Sequence, residues 1–138
     1  MDHSRRILME IVDKRIVVTG AASGIGKALS IAFKEAGARS IVCADMNIEG
    51  AEETADLVGG LAVKANVANE DEVINLIEKA NKFSGGIDIF CSNAGIIGVP
   101  GVFDTTTEDW QNIWEINVLS HIHAAKHALP QMLERGEG

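Results

Sequence analysis

Eight residues, Thr19-Gly20-Ala21-Ala22-Ser23-Gly24-Ile25-Gly26, leave an apolar run and enter a helical pattern that begins Lys27-Ala28-Leu29. The chemistry this arrangement suits is anion binding. Gly20 permits a tight turn, Gly24 lets the backbone approach a pyrophosphate, and Gly26 lets the helix pack on the strand, while the helix N-terminus offers unpaired N–H donors. A glycine triplet alone is weak evidence, and its place between a strand and a helix gives it weight. Asp45 follows Gly26 by nineteen residues, at the carboxyl end of the next apolar run. There a carboxylate can accept hydrogen bonds from both hydroxyls of an adenosine ribose. A 2′-phosphate would meet a like charge, and the nearby arginine, Arg39, stands at the start of that run, so NAD(H) is favoured over NADP(H). The plain alternative is that Asp45 only caps the helix that follows.

These residues need a scaffold that delivers strand ends to one edge. Arg15–Thr19, Ser40–Ala44, Leu61–Asn66 and Ile87–Cys91 are apolar runs of strand length. Each is followed by residues three and four apart in helical pattern, at Gly24–Glu35, Ile48–Leu57, Glu70–Lys82 and Thr107–Leu133, with breaks at Gly37, Gly59 and Gly85-Gly86. Continuous apolar strands joined by helices predict a parallel sheet covered on both faces. Asn69 before Glu70-Asp71-Glu72, and Thr107 before Glu108-Asp109, read as helix starts with carboxylates at the positive dipole end. Pro130 predicts a kink or break in the last helix.

Composition narrows the function. The 138 residues are the size of one domain, and 46% are apolar, enough for a buried core. A net charge of −8 repels phosphate backbones and anionic lipid, which argues against nucleic acid and membrane partners. Met1–Val12 has neither a signal peptide's apolar stretch nor the length to span a bilayer, so a cytoplasmic protein is expected. Cys43 and Cys91 lie inside strand-like runs and read as core residues without metal-ligand spacing. His123 and His127, four apart, could share a metal, but no Glu or Cys completes a set and none is expected. Trp110 and Trp114 share a helix face and read as core or interface anchors, with substrate contact as the alternative.

With these residues placed, the sequence resembles the short-chain dehydrogenases/reductases (SDR). Ser92-Asn93-Ala94-Gly95 after the fourth strand is similar to the family's Asn-Asn-Ala-Gly, Asn117 within Trp114-Glu115-Ile116-Asn117-Val118 matches its helix asparagine, and Asp88 sits where the family has an acid. The resemblance implies a three-layer Rossmann fold with strand order 3-2-1-4 over residues 15–138, after an N-terminal extension of residues 1–14. It also implies roles. Ser23 and Ile25 would lie near the pyrophosphate with Gly20, Gly24 and Gly26, Asp45 and Met46 at the ribose, and Asn66 and Val67 beside the adenine. Asn93, Ala94 and Gly95 would line the cofactor's ribose, although Asn93 can as well tie its loop to neighbouring strands. Where the family carries Asp, this chain has Asn66, whose carboxamide both accepts and donates. Asn117 would be the catalytic contributor, holding a water in a proton relay, with a buried structural asparagine as the alternative.

The sequence contains no tyrosine, so the Tyr-x-x-x-Lys pair with which the family moves its proton is absent, and the 138 residues alone are expected to be inactive. The resemblance places the family's Ser, that pair and strands five to seven after residue 138, leaving the edge of the fourth strand open to pairing. Hydride transfer between NAD(H) and a secondary alcohol or ketone is the expected activity of the whole. A non-catalytic NAD-binding or assembly module is the second reading. The family also implies a homo-oligomer through the 107–133 helix, with Ile113, Ile116, Leu119 and His123 as a stripe that could equally face the core.

Overall fold

The computed structural model describes residues 10–98 and 101–138. Residues 1–9 of the expected extension, and Val99 and Pro100, lie outside the described residues. The chain runs β1 (Arg15–Thr19), α1 (Gly24–Glu35), β2 (Ser40–Asp45), α2 (Ile48–Val58), β3 (Leu61–Lys64), α3 (Glu70–Ser84), β4 (Ile89–Cys91), α4 (Thr107–Trp114) and α5 (Ser120–Arg135), with a π-helical turn at Glu115–Leu119 joining the last two. All strand pairs are parallel, in the order β3-β2-β1-β4. This is the expected Rossmann half.

Alternation along each strand divides the core into two layers. Val17, Val42, Ala44 and Val63 pack against Val73, Leu76, Ile77 and Ala80 of α3 and Ala128 and Met132 of α5. On the opposite face, Ile16, Val18, Ile41 and Cys43 pack against Ala55 and Val58 of α2 and the half-buried Ile31 and Phe33 of α1. Both faces are covered, which is why the strands read as unbroken apolar runs. Register brings Thr19 beside Ala44, and Asp45 beside Lys64, so the strand ends line up along one edge. No helix among the described residues is long and apolar enough to cross a membrane.

The expected boundaries shift in several places. β3 stops at Lys64: Ala65 N still donates to Asp45 O at 3.0 Å, but Asn66 N turns to the Glu72 carboxylate at 2.8 Å, which pulls Asn66 out of the sheet. β4 is shorter than Ile87–Cys91, because Ile87 N donates to the Gln131 side chain and Asp88 takes up ionic partners. The cap of α4 is Thr106, one residue earlier than Thr107, in a reciprocal capping box with Asp109. Pro130 sits inside α5 without ending it, and the irregularity falls at the π turn instead.

That turn also sets where the expected stripe lies. An extra residue in the π turn rotates α5 by roughly 100° relative to α4. Ile113, Ile116, Leu119 and His123 are half-buried, with Ile116 packed on the core, while Ile122, Leu129 and Leu133 face outward. Trp110 and Trp114 are each 52% exposed and are not core residues.

At the amino edge of the sheet Asp88 joins three segments. Its carboxylate accepts from Arg15 N (2.9 Å), Arg15 Nε (2.8 Å) and Arg15 Nη2 (2.5 Å), and Arg135 Nη2 lies 3.4 Å away. Arg15 Nη1 also donates to Gly85 O, and Arg135 Nη2 to Ile87 O. The Arg15 side chain holds the Asp88 carboxyl down at about 2, against the opposing effect of burial. Since the folded-state value lies below the unfolded one, this stabilisation is present above the ordinary carboxylate range and is lost as pH falls from about 4 towards 2. Asp88→Ala removes the carboxylate shared by Arg15 and Arg135 and leaves each guanidinium only a backbone acceptor, so it is expected to lower unfolding free energy by about 2 kcal/mol at neutral pH, read by urea denaturation. The gap between wild type and variant should narrow as pH approaches 2.

Candidate cofactor-binding cleft

A cleft of about 360 Å³ opens where the carboxyl ends of β1, β2, β3 and β4 meet. Its walls come from four loops: Gly20, Ser23, Gly24, Ile25 and Gly26 after β1, Asp45 and Met46 after β2, Asn66 and Val67 after β3, and Asn93, Ala94 and Gly95 after β4. The structure therefore gathers all the residues expected around the dinucleotide at one place. Ala65, Ile96 and Ile116 complete the lining. These three are apolar backbone-spaced neighbours of the motifs and carry no signal of their own in the sequence.

The floor of the cleft is held by Thr19, whose side chain is 2% exposed. Its Oγ1 accepts from Asn93 N at 3.0 Å and from Ala94 N at 3.1 Å, and donates to Cys91 O at 3.4 Å. Asn93 Nδ2 in turn donates to Thr19 O at 3.0 Å. The Asn93 amide thus ties its loop to β1. The first turn of α1 packs so closely on the glycine loop and on Asn93 that a Cβ on Gly26 would overlap the Gly20 carbonyl and lie 2.9 Å from Asn93 Nδ2. Gly24 is different: its φ is +53°, and a Cβ there would meet nothing within 4 Å. Gly24 is required by backbone conformation and leaves open space before the helix end.

The electrostatics of that helix end are distinctive. α2, α3 and α4 are capped by the side chains of Asn47, Asn69 and Thr106, and each has carboxylates in its first turn. α1 has Ser23 at its N-cap with no side-chain hydrogen bond and no acidic residue in its first turn. The positive end of its dipole and its first N–H groups face the cleft without a protein acceptor of that kind, which fits an anionic ligand.

Asp45 does not cap α2, a task done by Asn47. Its carboxylate is positioned by two backbone donors: Oδ2 accepts from Ala22 N at 3.0 Å and Oδ1 from Asn47 N at 3.0 Å. Each oxygen keeps a further lone pair for a hydroxyl in the cleft. Arg39 is at the far end of β2, paired with Asp13 at 2.7 Å, and so is not placed to meet a phosphate beside Asp45.

Asn117 stands in the π turn and clamps the loop that follows β4. Its Oδ1 accepts from Ile96 N at 2.9 Å and its Nδ2 donates to Ile96 O at 2.8 Å. Among the histidines, His121 Nδ1 lies 2.6 Å from Ser92 Oγ and His127 Nε2 lies 2.7 Å from a Glu70 oxygen that also accepts from Lys126. Lys126 and His127 hold the Glu70 carboxyl down at about 2. Burial pushes the thiols of Cys43 and Cys91 up, which keeps them protonated and poorly nucleophilic.

A family model for short chain dehydrogenase matches residues 14–138. An uncharacterized oxidoreductase, YvrD of Bacillus subtilis, is 34% identical over 134 residues, covering 94% of this chain and 50% of its own. A 1-deoxy-11-beta-hydroxypentalenate dehydrogenase of Streptomyces arenae is 39% identical over 127 residues, covering 87% and 45%. Among solved structures, a short-chain type dehydrogenase/reductase from Mycobacterium marinum superposes with a TM-score of 0.86 at 31% identity, covering 94% of this chain and 54% of that one. A hydroxysteroid dehydrogenase from Escherichia coli gives 0.83 at 34%, covering 92% and 55%. The chain spans about half the length of the relatives it matches.

Thr19→Val keeps the shape of the side chain but leaves the N–H groups of Asn93 and Ala94 without their acceptor, a loss expected to cost about 2 kcal/mol of stability. Amide exchange at Asn93 and Ala94 should accelerate more than at β2, and equal protection there would show that the hydroxyl does not hold the loop.

Proposed function

The chain belongs to the short chain dehydrogenase family, and on that premise we propose that it holds NAD(H) in the cleft, as the cofactor-binding half of an oxidoreductase acting on a secondary alcohol or ketone. The family binds NAD(P) and small-molecule substrates. What carries the reading is the convergence of four strand-end loops, one with an uncapped helix terminus and one with a backbone-fixed carboxylate, on one cleft.

On this reading the first N–H groups of α1 and the Ser23 hydroxyl hold the pyrophosphate, with Ile25 and Gly20 shaping the turn around it. Asp45 accepts both ribose hydroxyls and disfavours a 2′-phosphate by charge repulsion, so NAD is preferred to NADP. Met46 covers the ribose, Val67 and Asn66 flank the base, and Asn93, Ala94 and Gly95 line the second ribose. When bound, the cofactor supplies hydride acceptance and donation. Asn117 acts as a positioning residue: by fixing both polar groups of Ile96 it sets the loop that faces the reacting end. The 138 residues contain no tyrosine, so no proton donor of the family's kind is among them, and this chain alone binds without turnover. Residues 15–138 act as the cofactor-binding domain after the short extension, in the cytoplasm. A second copy would meet the outward face of α4 and α5, at Trp110, Trp114, Ile122 and Leu133.

Calorimetric titration checks this. NAD is expected to bind more tightly than NADP, and Asp45→Ala to weaken NAD by about tenfold while erasing the preference. Gly24→Val, placed in open space but at positive φ, should block the anion without filling the core. A folded wild-type chain that binds neither nucleotide would overturn the proposal.

A further inference from the structure

We infer, resting on the reading just given, that residue 66 selects the purine base, and that Asn66 makes the cleft accept a 6-oxopurine dinucleotide alongside the 6-aminopurine one. The position of the base follows from the order of the strands. The glycine loop after β1 takes the phosphates and Asp45, after β2, takes the ribose. The next strand outward is β3, so the base attached to that ribose must lie against the loop after β3, where Asn66 and Val67 line the cleft.

The orientation of the Asn66 amide is fixed by its neighbours. Its Oδ1 accepts from Ala68 N at 3.1 Å, an Asx turn that only the oxygen can make. Its own backbone N–H is held by Glu72 Oε2 at 2.8 Å, which anchors the residue from behind. With oxygen and nitrogen thus distinguished, Nδ2 is a defined donor, and it donates to no acceptor among the described residues. Oδ1 keeps one lone pair. The side chain therefore offers the base edge both an acceptor and a donor.

A carboxylate at this position would offer acceptors only. It would take the exocyclic N–H of adenine, but of the two groups on the hypoxanthine edge it could accept only from N1–H and would repel the carbonyl oxygen at C6. The carboxamide serves either base: Oδ1 accepts from the amine of adenine, whereas on hypoxanthine Nδ2 donates to the C6 oxygen and Oδ1 can accept from N1–H. Val67 and the rest of the lining are unchanged in a variant at residue 66, so a comparison across such variants isolates this side chain.

The test measures dissociation constants of NAD and of nicotinamide hypoxanthine dinucleotide, by calorimetry, for the 138-residue chain and for Asn66→Asp. The preference for NAD over the hypoxanthine form is expected to rise by about tenfold in the variant, the usual scale for setting one acceptor against another. As a measurement that does not depend on the variant folding, the side-chain amide protons of Asn66 are followed by NMR in the wild type. They should shift on adding the hypoxanthine dinucleotide. An unchanged preference, or amide resonances that stay in place while the dinucleotide binds, overturns the inference and leaves the cleft assignment standing. Failure of the wild type to bind either dinucleotide removes the cleft assignment and the inference together.

Discussion

Two parallel neighbours, β1 and β4, end at the same edge, and the loops that leave them compete for the same space. The competition is resolved at Thr19, a buried hydroxyl that accepts two backbone N–H groups from the loop after β4. No side chain can stand at Gly26, where it would overlap the Gly20 carbonyl and crowd the Asn93 amide. The glycine pattern is thus a packing requirement at one position and a conformational one at Gly24, where the backbone is left-handed and space is open. A hydroxyl, a carboxamide and two glycines define the floor on which everything else in the cleft is arranged.

Charge is distributed to the same end. Three helices neutralise their own amino termini with capping side chains and carboxylates, while α1 keeps its terminus free. Asp45 supplies a carboxylate one strand away, held rigid by N–H groups from the glycine loop and from the start of α2. Its distance from the helix end separates a place for anions from a place for hydroxyls. The opposite edge of the sheet is tied by Asp88, Arg15 and Arg135, which join β1, β4 and the end of α5 and so keep the strand ends in register far from the cleft.

The π turn links the site to the outer surface. Asn117 uses both polar atoms of its side chain on Ile96, and His121 reaches Ser92 one turn later, so the loop after β4 is pinned to the helix at two heights. The same extra residue changes the phase of α5. Ser120, Ala124, Ala128 and Met132 face the sheet, and Ile122, Leu129 and Leu133 face away.

By itself the sequence determined the element order, the parallel sheet and the residues around the cleft, because these follow from hydrophobic period and from local motifs that each occupy a few consecutive positions. The glycine run and Asp45 are legible singly, Asn66-Val67 and Asn93-Ala94-Gly95 through the resemblance to the family, and their convergence follows once the strands are parallel. The tertiary structure alone decided which side chains serve the loops and which serve the core. Thr19 carries no mark that separates it from any strand-ending threonine, and Glu72, which reads as part of a helix start, spends its carboxylate on Asn66 N. Helical phase was also beyond sequence: a regular 3.6 period across residues 107–133 left Ile113, Ile116, Leu119 and His123 as a stripe facing either a second copy or the core, and the π turn, which rotates α5, leaves them half-buried with Ile116 on the core. The physical reason is common to these cases. Period and motif report what a residue does with its neighbours along the chain, and the missing partners, Ile96 for Asn117 and Asn93 for Thr19, are 21 and 74 residues away.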